Sequence, residues 1–228
     1  MQSRYAGVIG LLCIVMLWPL QSSAKDTIDL NSLIRETQQM SQSPDEMTMV
    51  WWLPEEFWLS SLSQDASVSP EMMEQFLATI RPYLMLAVLD GTIGAFGGVT
   101  YRAEDALRQS TRLRDASGET YTVLPADEID ADTTNLLAMM KPVLVNMLGA
   151  LGQNMHFVLF RSSDGDRIAD ARKPGSFEVV VDDKVFGYRL PLGSVLPPRF
   201  DPKTGEQFPG NYRYSPFTGT KLTTREPN

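Results

Sequence analysis

Residues 132–160, DTTNLLAMMKPVLVNMLGALGQNMHFVLF, hold the longest amphipathic helix pattern in the chain, followed by a run typical of a buried strand. The apolar residues that recur every three or four positions are Leu136, Leu137, Met140, Val143, Leu144, Met147, Leu148 and Leu151. We expect Asp132 to cap this helix, Pro142 to kink it and Gly149 to end it. The helix should lie across a sheet that contains strand 155–160, with the rest of the chain packed around the pair.

The first 24 residues match a secretory signal peptide. Arg4 supplies the positive start, residues 8–17 form an apolar core too short to span a bilayer with ease, and Ser22-Ser23-Ala24 is a small-residue cleavage site. We predict cleavage after Ala24, which makes the protein periplasmic or secreted. An uncleaved anchor is the alternative, whereas the residues before Cys13 fit a lipoprotein signal poorly.

Cleavage would leave a chain without cysteine, because Cys13 is the only one. Such a chain has no thiol for a disulfide, a metal or a nucleophile. One of the 20 Lys and Arg residues and none of the 28 Asp and Glu residues would be removed, so the net charge would change from −8 to −9. An acidic surface argues against nucleic acid and anionic lipid as partners, and no later segment is apolar enough for a transmembrane helix.

The remaining chain divides into three segments by composition. Residues 25–46 predict a short helix and a polar linker, residues 47–196 the main domain, and residues 197–228 a tail that follows a proline-rich linker. The predicted fold class is α+β, with a mainly antiparallel sheet of about six or seven strands and two packed helices. One helix is the helix of 132–160, and the other begins at Ser69, an N-cap followed by proline.

Three hairpins are predicted within the main domain. Asp90-Gly91 is typical of a two-residue turn and should join strands 83–89 and 92–101. Two further hairpins are expected at 111–124 and 177–190, where alternating apolar residues flank polar turns.

Three of the four tryptophans, Trp51, Trp52 and Trp58, lie close together in the sequence. A dense aromatic group of this kind can form an exposed patch for a partner. It can equally form part of the core, because Phe57, Trp58 and Leu62 fall on one helical face. Both interpretations stay open at this point.

The tail contains an internal repeat, in which Asp201-Pro202-Lys203-Thr204-Gly205 matches Ser215-Pro216-Phe217-Thr218-Gly219. It resembles a zinc ribbon, a family in which two Cys-Pro-x-Cys-Gly knuckles hold one tetrahedral zinc ion. The resemblance places the metal ligands at four positions where this chain has one carboxylate and three hydroxyls. These positions are Asp201, Thr204, Ser215 and Thr218. Because this set cannot replace thiolates, we predict no metal and no cofactor.

Loss of the metal has an energetic consequence. A structural zinc ion contributes on the order of 10 kcal/mol to the folding of such a module, so the tail should fold only if its aromatic residues pack against the main domain. The main domain itself resembles exported bacterial proteins of uncharacterised function. The segments that carry this resemblance are WWLPEEFW (51–58), LDGTIGAFGGVTYR (89–102) and LGQNMHF (151–157). The resemblance implies no activity.

His156 is the only histidine and therefore the main candidate for acid–base chemistry. It could act as a general base, oriented by a carboxylate such as Asp164 and paired with a serine nucleophile. A lone histidine among apolar neighbours is also a common structural residue, and no Gly-x-Ser-x-Gly motif is present.

The methionine content suggests a third interpretation. Met47, Met49 and Met155 could bind copper(I) through their thioethers in an oxidising compartment. This function requires Met47 and Met49 to be exposed and to converge, whereas methionines on apolar stripes usually fill the core.

These observations favour an exported, non-catalytic binding or scaffolding protein of the bacterial cell envelope, with an envelope protein or ligand as its partner. The alternatives are a small periplasmic hydrolase that uses His156 and a methionine-based copper(I) protein. An enzyme should place His156 in a cleft with a carboxylate and a hydroxyl in reach. A binding protein should instead expose an apolar or aromatic surface.

Overall fold

The computed structural model describes residues 28–41, 43–63 and 65–225, so the predicted signal peptide lies outside the described residues. The helices are α1 (Leu30–Thr37), α2 (Glu55–Leu62), α3 (Pro70–Ile80), α4 (Glu104–Ser110), α5 (Ala131–Leu148) and α6 (Ala150–Asn154). The strands are β1 (Gln38–Met40), β2 (Glu46–Trp52), β3 (Leu84–Ile93), β4 (Val99–Tyr101), β5 (Thr111–Asp115), β6 (Thr120–Thr122), β7 (His156–Phe160), β8 (Gly175–Val181), β9 (Lys184–Leu190), β10 (Arg199–Phe200) and β11 (Gln207–Phe208).

All strand pairs are antiparallel, which agrees with the predicted α+β class. Sheet A has the order β1-β2-β3-β4, with β7 paired to the first half of β3 on the same side as β4. Sheet B has the order β6-β5-β8-β9, and β10 pairs with β11 in the tail. We expected one sheet of six or seven strands, whereas the described strands form two larger sheets and this small pair.

β3 is the centre of the main domain. Its first eight residues are all buried, because β2 covers one edge, β7 and β4 cover the other, and both faces are packed. The hairpins of β5–β6 and β8–β9 and the capped helix α3 are confirmed, with the Ser69 hydroxyl accepting a hydrogen bond from the Met72 N–H (3.2 Å).

The helix of 132–160 is not the element around which the chain packs, and this corrects our first expectation. α5 starts two residues earlier with Asp130 as its N-cap, so Asp132 lies in the first turn, while Gly149 ends the helix with a positive φ of 59° as expected. Only two side chains of α5 are buried, Thr133 and Leu144. Its apolar residues continue around most of the helix circumference, so one face covers the core and the opposite face stays exposed. The large exposed residues are Met139, Val143 and Met147.

Asp90 and Gly91 lie inside β3, and the predicted two-residue turn is therefore wrong. The chain turns instead at residues 94–98, where the Gly94 N–H donates to the Gly98 carbonyl (2.8 Å). A side chain at Gly91 would place its Cβ 2.9 Å from the Thr100 carbonyl oxygen, so glycine is required for close approach of β4 rather than for a turn.

Asp90 is kept in the strand by a buried ionic cluster. Its carboxylate accepts a hydrogen bond from the Thr48 hydroxyl (2.5 Å) and pairs with Arg102 (2.9 Å) and Lys184 (3.7 Å). Lys184 belongs to β9, so this cluster ties sheet A to sheet B. Such pairing satisfies a carboxylate that burial would otherwise make costly.

The segment 25–46, predicted as a short helix and a polar linker before the main domain, contributes to the core through its described residues. Leu33 on α1 is fully buried, and β1 extends sheet A beside β2. Among the described residues, no helix is long and apolar enough to cross a membrane.

Candidate functional site

His156 opens β7 and contacts α4 rather than the loop that we predicted. Its Nδ1 lies 3.0 Å from Glu104 Oε2. The Lys141 ammonium donates to the neighbouring Met155 carbonyl, and partial burial lowers the pKa of Lys141, an effect that Glu104 opposes. These three side chains form a small polar cluster between α4, α5 and β7.

This cluster does not contain the predicted catalytic set. Asp164 lies beyond the opposite end of β7, where it accepts hydrogen bonds from Ser162 and from the Asp166 N–H. Within the described part of the chain, no hydroxyl hydrogen-bonds to His156. The structure therefore brings His156 to Glu104, in an arrangement that ties β7 to α4.

The three tryptophans are buried, so they do not form an exposed partner patch. Trp51, Trp52 and Trp58 are at most 3% exposed. Trp51 faces Phe57 on α2, with ring centroids 5.1 Å apart, whereas Trp52 points to the opposite face of sheet A and contacts Phe177 of sheet B (5.0 Å). Adjacent tryptophans thus fill the two core layers on either side of one sheet.

The methionines proposed for copper(I) are not exposed together. Met49 and Met155 are buried in the core, and Met47 is half-buried. The Met49 sulfur accepts a hydrogen bond from the Gln38 side chain (3.2 Å). The exposed, convergent pair that this function requires is therefore absent from these positions.

The two repeats of the tail fold in the same way. In the first, the Asp201 carbonyl accepts from the Gly205 N–H (2.9 Å), and in the second the Ser215 carbonyl accepts from the Gly219 N–H (2.9 Å). The Asp201 carboxylate accepts from the backbone N–H of Lys203 (2.8 Å), and this hydrogen bond, the largest effect, holds its pKa below the ordinary value. Ser215 plays the equivalent role in the second repeat, through hydrogen bonds from the N–H groups of residues 217 and 218.

The four positions that the zinc-ribbon resemblance points to are used in protein hydrogen bonds. The Thr218 hydroxyl donates to Asp201 Oδ2 (3.2 Å), and the Thr204 hydroxyl accepts from the Glu206 N–H (3.3 Å). One carboxylate and three neutral hydroxyls do not fit a structural zinc ion, which takes thiolates and imidazoles. No group of three His, Cys, Asp or Glu side chains with metal-binding geometry occurs among the described residues.

The tail docks on the main domain where two glycines meet. The Gly210 N–H donates to the Gly193 carbonyl (3.0 Å), and the Asn211 side chain donates to the Pro191 carbonyl (3.1 Å). A Cβ at Gly210 would lie 2.4 Å from the Leu196 Cβ, and a Cβ at Gly193 would lie 2.5 Å from the Asn211 side chain. The contact therefore requires glycine on both sides.

A groove of about 810 Å³ runs between α1, the segment 193–198 and the tail. Glu36 fixes one wall, because its carboxylate accepts from the N–H groups of Gly193 and Ser194 (both 2.9 Å). Phe208 and Tyr212 form much of the opposite wall, with ring centroids 6.3 Å apart. The groove thus lies between elements that hydrogen bonds connect to one another.

The charged groups of the groove differ in whether they already have partners within the protein. Its two carboxylates are engaged, Glu36 as above and Asp29 as the N-cap of α1. Arg35 lies on α1, on the same wall as Glu36. It is exposed and donates to the Ser32 hydroxyl (2.9 Å), but it forms no salt bridge with any described residue. A ligand in the groove would therefore contact the guanidinium of Arg35 on one wall and the rings of Phe208 and Tyr212 on the other.

Sequence reasoning did not find this groove. Glu36 and Ser194 are 158 positions apart, and neither belongs to a motif or to a periodic stripe. The only signal in the sequence was indirect. A tail without a metal ion must pack against the main domain, and ligand pockets often occur where two modules pack together.

Comparison of this chain with protein-family models, with curated proteins and with solved structures gives no match. The function has to be argued from the chemistry of the groove and the tail.

Proposed function

We propose that this chain is an exported, non-catalytic binding or scaffolding protein of the bacterial cell envelope. The observation that carries the proposal is the groove between α1 and the tail. Its volume of about 810 Å³ falls in the range of ligand sites in proteins, roughly 300–1,000 Å³. Export follows from the signal-like residues 1–24.

The walls of the groove suit recognition more than chemistry. The groove has two cations: Arg35, which forms no salt bridge with a described residue, and Arg172, which pairs with Glu56 (3.0 Å). Hydrogen bonds and stacking surface are offered by the phenol of Tyr212 and by the apolar faces of Pro197, Pro198 and Phe208. Neither His156 nor its partner Glu104 lines the groove. Binding is therefore separated from the one imidazole of the chain.

Envelope binding is tested by sedimentation. The chain of residues 25–228 is mixed with isolated envelope from the source bacterium, and the bound fraction is measured after centrifugation. We expect the protein to sediment and Arg35→Glu to reduce the bound fraction several-fold. Arg189→Glu is the matched control, because Arg189 is also exposed and forms no salt bridge with a described residue, but lies on sheet B.

Export is tested by fractionation of cells and by N-terminal sequencing, with Lys25 expected as the first residue. An intracellular protein, or one that never sediments with envelope, refutes the proposal.

The hydrolase alternative rests on the contact between His156 and Glu104 at 3.0 Å. It predicts that His156→Ala abolishes turnover of an ester or amide substrate while the fold and envelope binding persist. Our proposal predicts that the same variant sediments like the wild type and changes no hydrolytic rate. Screening both proteins against a panel of nitrophenyl esters separates the two functions.

A further inference from the structure

The charge of the chain is divided unevenly between the tail and the rest. Residues 197–228 contain five Lys and Arg against three Asp and Glu, a net charge of +2, whereas residues 1–196 contain 15 against 25, a net charge of −10. The tail is therefore a basic module attached to an acidic protein. A charge distribution of this kind directs anions to one end of the molecule.

Four of the five cations of the tail are not used by the fold. Of the 13 described Lys and Arg residues before position 197, eight form salt bridges, whereas no salt bridge among the described residues includes the tail. Arg199 donates to the Gly210 carbonyl (3.0 Å). The other four cations are exposed and available: Lys203, Arg213, Lys221 and Arg225.

Aromatic rings lie among these cations. Tyr212, Tyr214 and Phe217 are 41%, 58% and 77% exposed. The buried ring of Phe208 lies between two of them, with its centroid 6.3 Å from that of Tyr212 and 6.2 Å from that of Phe217. Tyr214 lies opposite Lys221 in a β-bridge. The rings and the cations therefore occupy one small module whose surface continues through Tyr212 into the groove.

We propose that the tail binds an anionic polysaccharide, which rests on the envelope-binding function proposed above and names its ligand. The free cations would pair with carboxylate groups spaced along the polymer. The exposed rings would lie against the apolar C–H faces of the sugars. One end of the polymer would enter the groove past Tyr212, toward Arg35.

The charges favour a polysaccharide over a nucleic acid. A nucleic acid strand carries one phosphate charge per nucleotide, and a strand longer than the tail would run over residues 25–196, whose net charge is −11. A polymer in which charged and neutral sugars alternate can contact the tail without concentrating charge beside the acidic domain.

The test measures binding of residues 25–228 to hyaluronate, a polymer in which a uronic acid and a neutral sugar alternate, by titration calorimetry. The neutral polymer dextran and the single strand dT20 are titrated in parallel. The charge variant is Arg213→Glu with Lys221→Glu, matched by Arg189→Glu on sheet B. The ring variant is Phe217→Ser, matched by Phe96→Ser, because Phe96 is fully exposed at the tip of the β3–β4 hairpin.

We expect hyaluronate to bind and the double charge variant to weaken binding on the order of tenfold, with a smaller loss for Phe217→Ser. Both controls should bind like the wild type, and dextran and dT20 should bind weakly or not at all. Tighter binding of dT20, equal losses in the controls, or no binding of hyaluronate overturns the proposal. If envelope sedimentation still depends on Arg35 in that case, the proposed function survives and only the ligand class fails.

Discussion

The main domain and the tail are stabilised in different ways. The main domain buries a continuous apolar core on both faces of sheet A and pairs most of its cations with carboxylates. The tail buries few large apolar residues, among them Phe208 and Leu222, and keeps its shape through short backbone hydrogen bonds in two repeated turns.

The main domain and the tail therefore use their charged groups for different purposes. In the main domain, charged groups serve the fold, as Asp90 does at the junction of sheets A and B. In the described part of the tail, the only buried charge is the Asp201 carboxylate. Four of the five cations are exposed, and Arg199 is half-buried and donates to the Gly210 carbonyl. A module that leaves its cations free is suited to binding an anion from outside.

The largest effect should come from the centre of sheet A. Leu86→Ala removes a fully buried side chain from β3, and such a cavity costs about 3 kcal/mol in the free energy of unfolding. Chemical denaturation followed by tryptophan fluorescence measures the loss. The control Val185→Ala alters an exposed residue of β9 and should change stability by less than about 0.5 kcal/mol. Equal losses in the two variants would show that β3 is not the core strand.

The ionic cluster of Asp90 should rank second. Asp90→Asn keeps the shape of the side chain but removes the charge that Arg102 and Lys184 face. Because both cations retain access to water, we expect a loss of about 2 kcal/mol, less than for a fully buried pair. Asp183→Asn, at an exposed position that forms no salt bridge with a described residue, is the matched control and should be near neutral. A neutral Asp90→Asn would mean that the cluster is not needed to join the sheets.

Disruption of the contact between the tail and the main domain should have a smaller effect than either change in the core. Gly210→Ala would bring a methyl group within 2.4 Å of the Leu196 Cβ, so the tail should separate from the segment 193–198. We expect hydrogen exchange in residues 199–225 to rise about tenfold while β3 exchanges as before. Gly187→Ala, whose Cβ would contact nothing within 4 Å, is the control. If β3 were affected as well, the tail and the main domain would be one cooperative unit.

Much of the main domain could be predicted from residue patterns. The capped helix α3, the hairpins β5–β6 and β8–β9 and the buried strand β7 follow from local signals, namely a Ser-Pro start and alternating apolar residues around polar turns. Local signals succeed where the contacts that decide the structure are themselves local.

The failures come from contacts between distant residues. Asp90-Gly91 has the composition of a turn. In the structure, however, the Asp90 carboxylate pairs with Lys184, and β4 approaches so closely that position 91 requires glycine. The local sequence reveals neither contact. In α5, the apolar pattern did not show which part of a wide apolar surface would be covered. The partner of His156 was missed for the same reason, because Glu104 lies 52 positions away, at the start of helix α4.

The smallest effect concerns the pH dependence of the tail. Hydrogen bonds, first from the Lys203 N–H, lower the pKa of Asp201 in the folded state below 3.8. A lowered pKa means that the carboxylate stabilises the fold above that ordinary value, and that this contribution is lost as the pH falls through the folded pKa. The methyl NMR signal of Thr218, whose hydroxyl donates to Asp201, should therefore shift below pH 3.8 in the wild type and stay constant in Asp201→Asn. Glu206→Gln is the control and should titrate like the wild type. A wild-type signal that shifts only together with the methyl signals of Leu86 would report acid unfolding of the main domain instead, and the tail would then have no acid transition of its own.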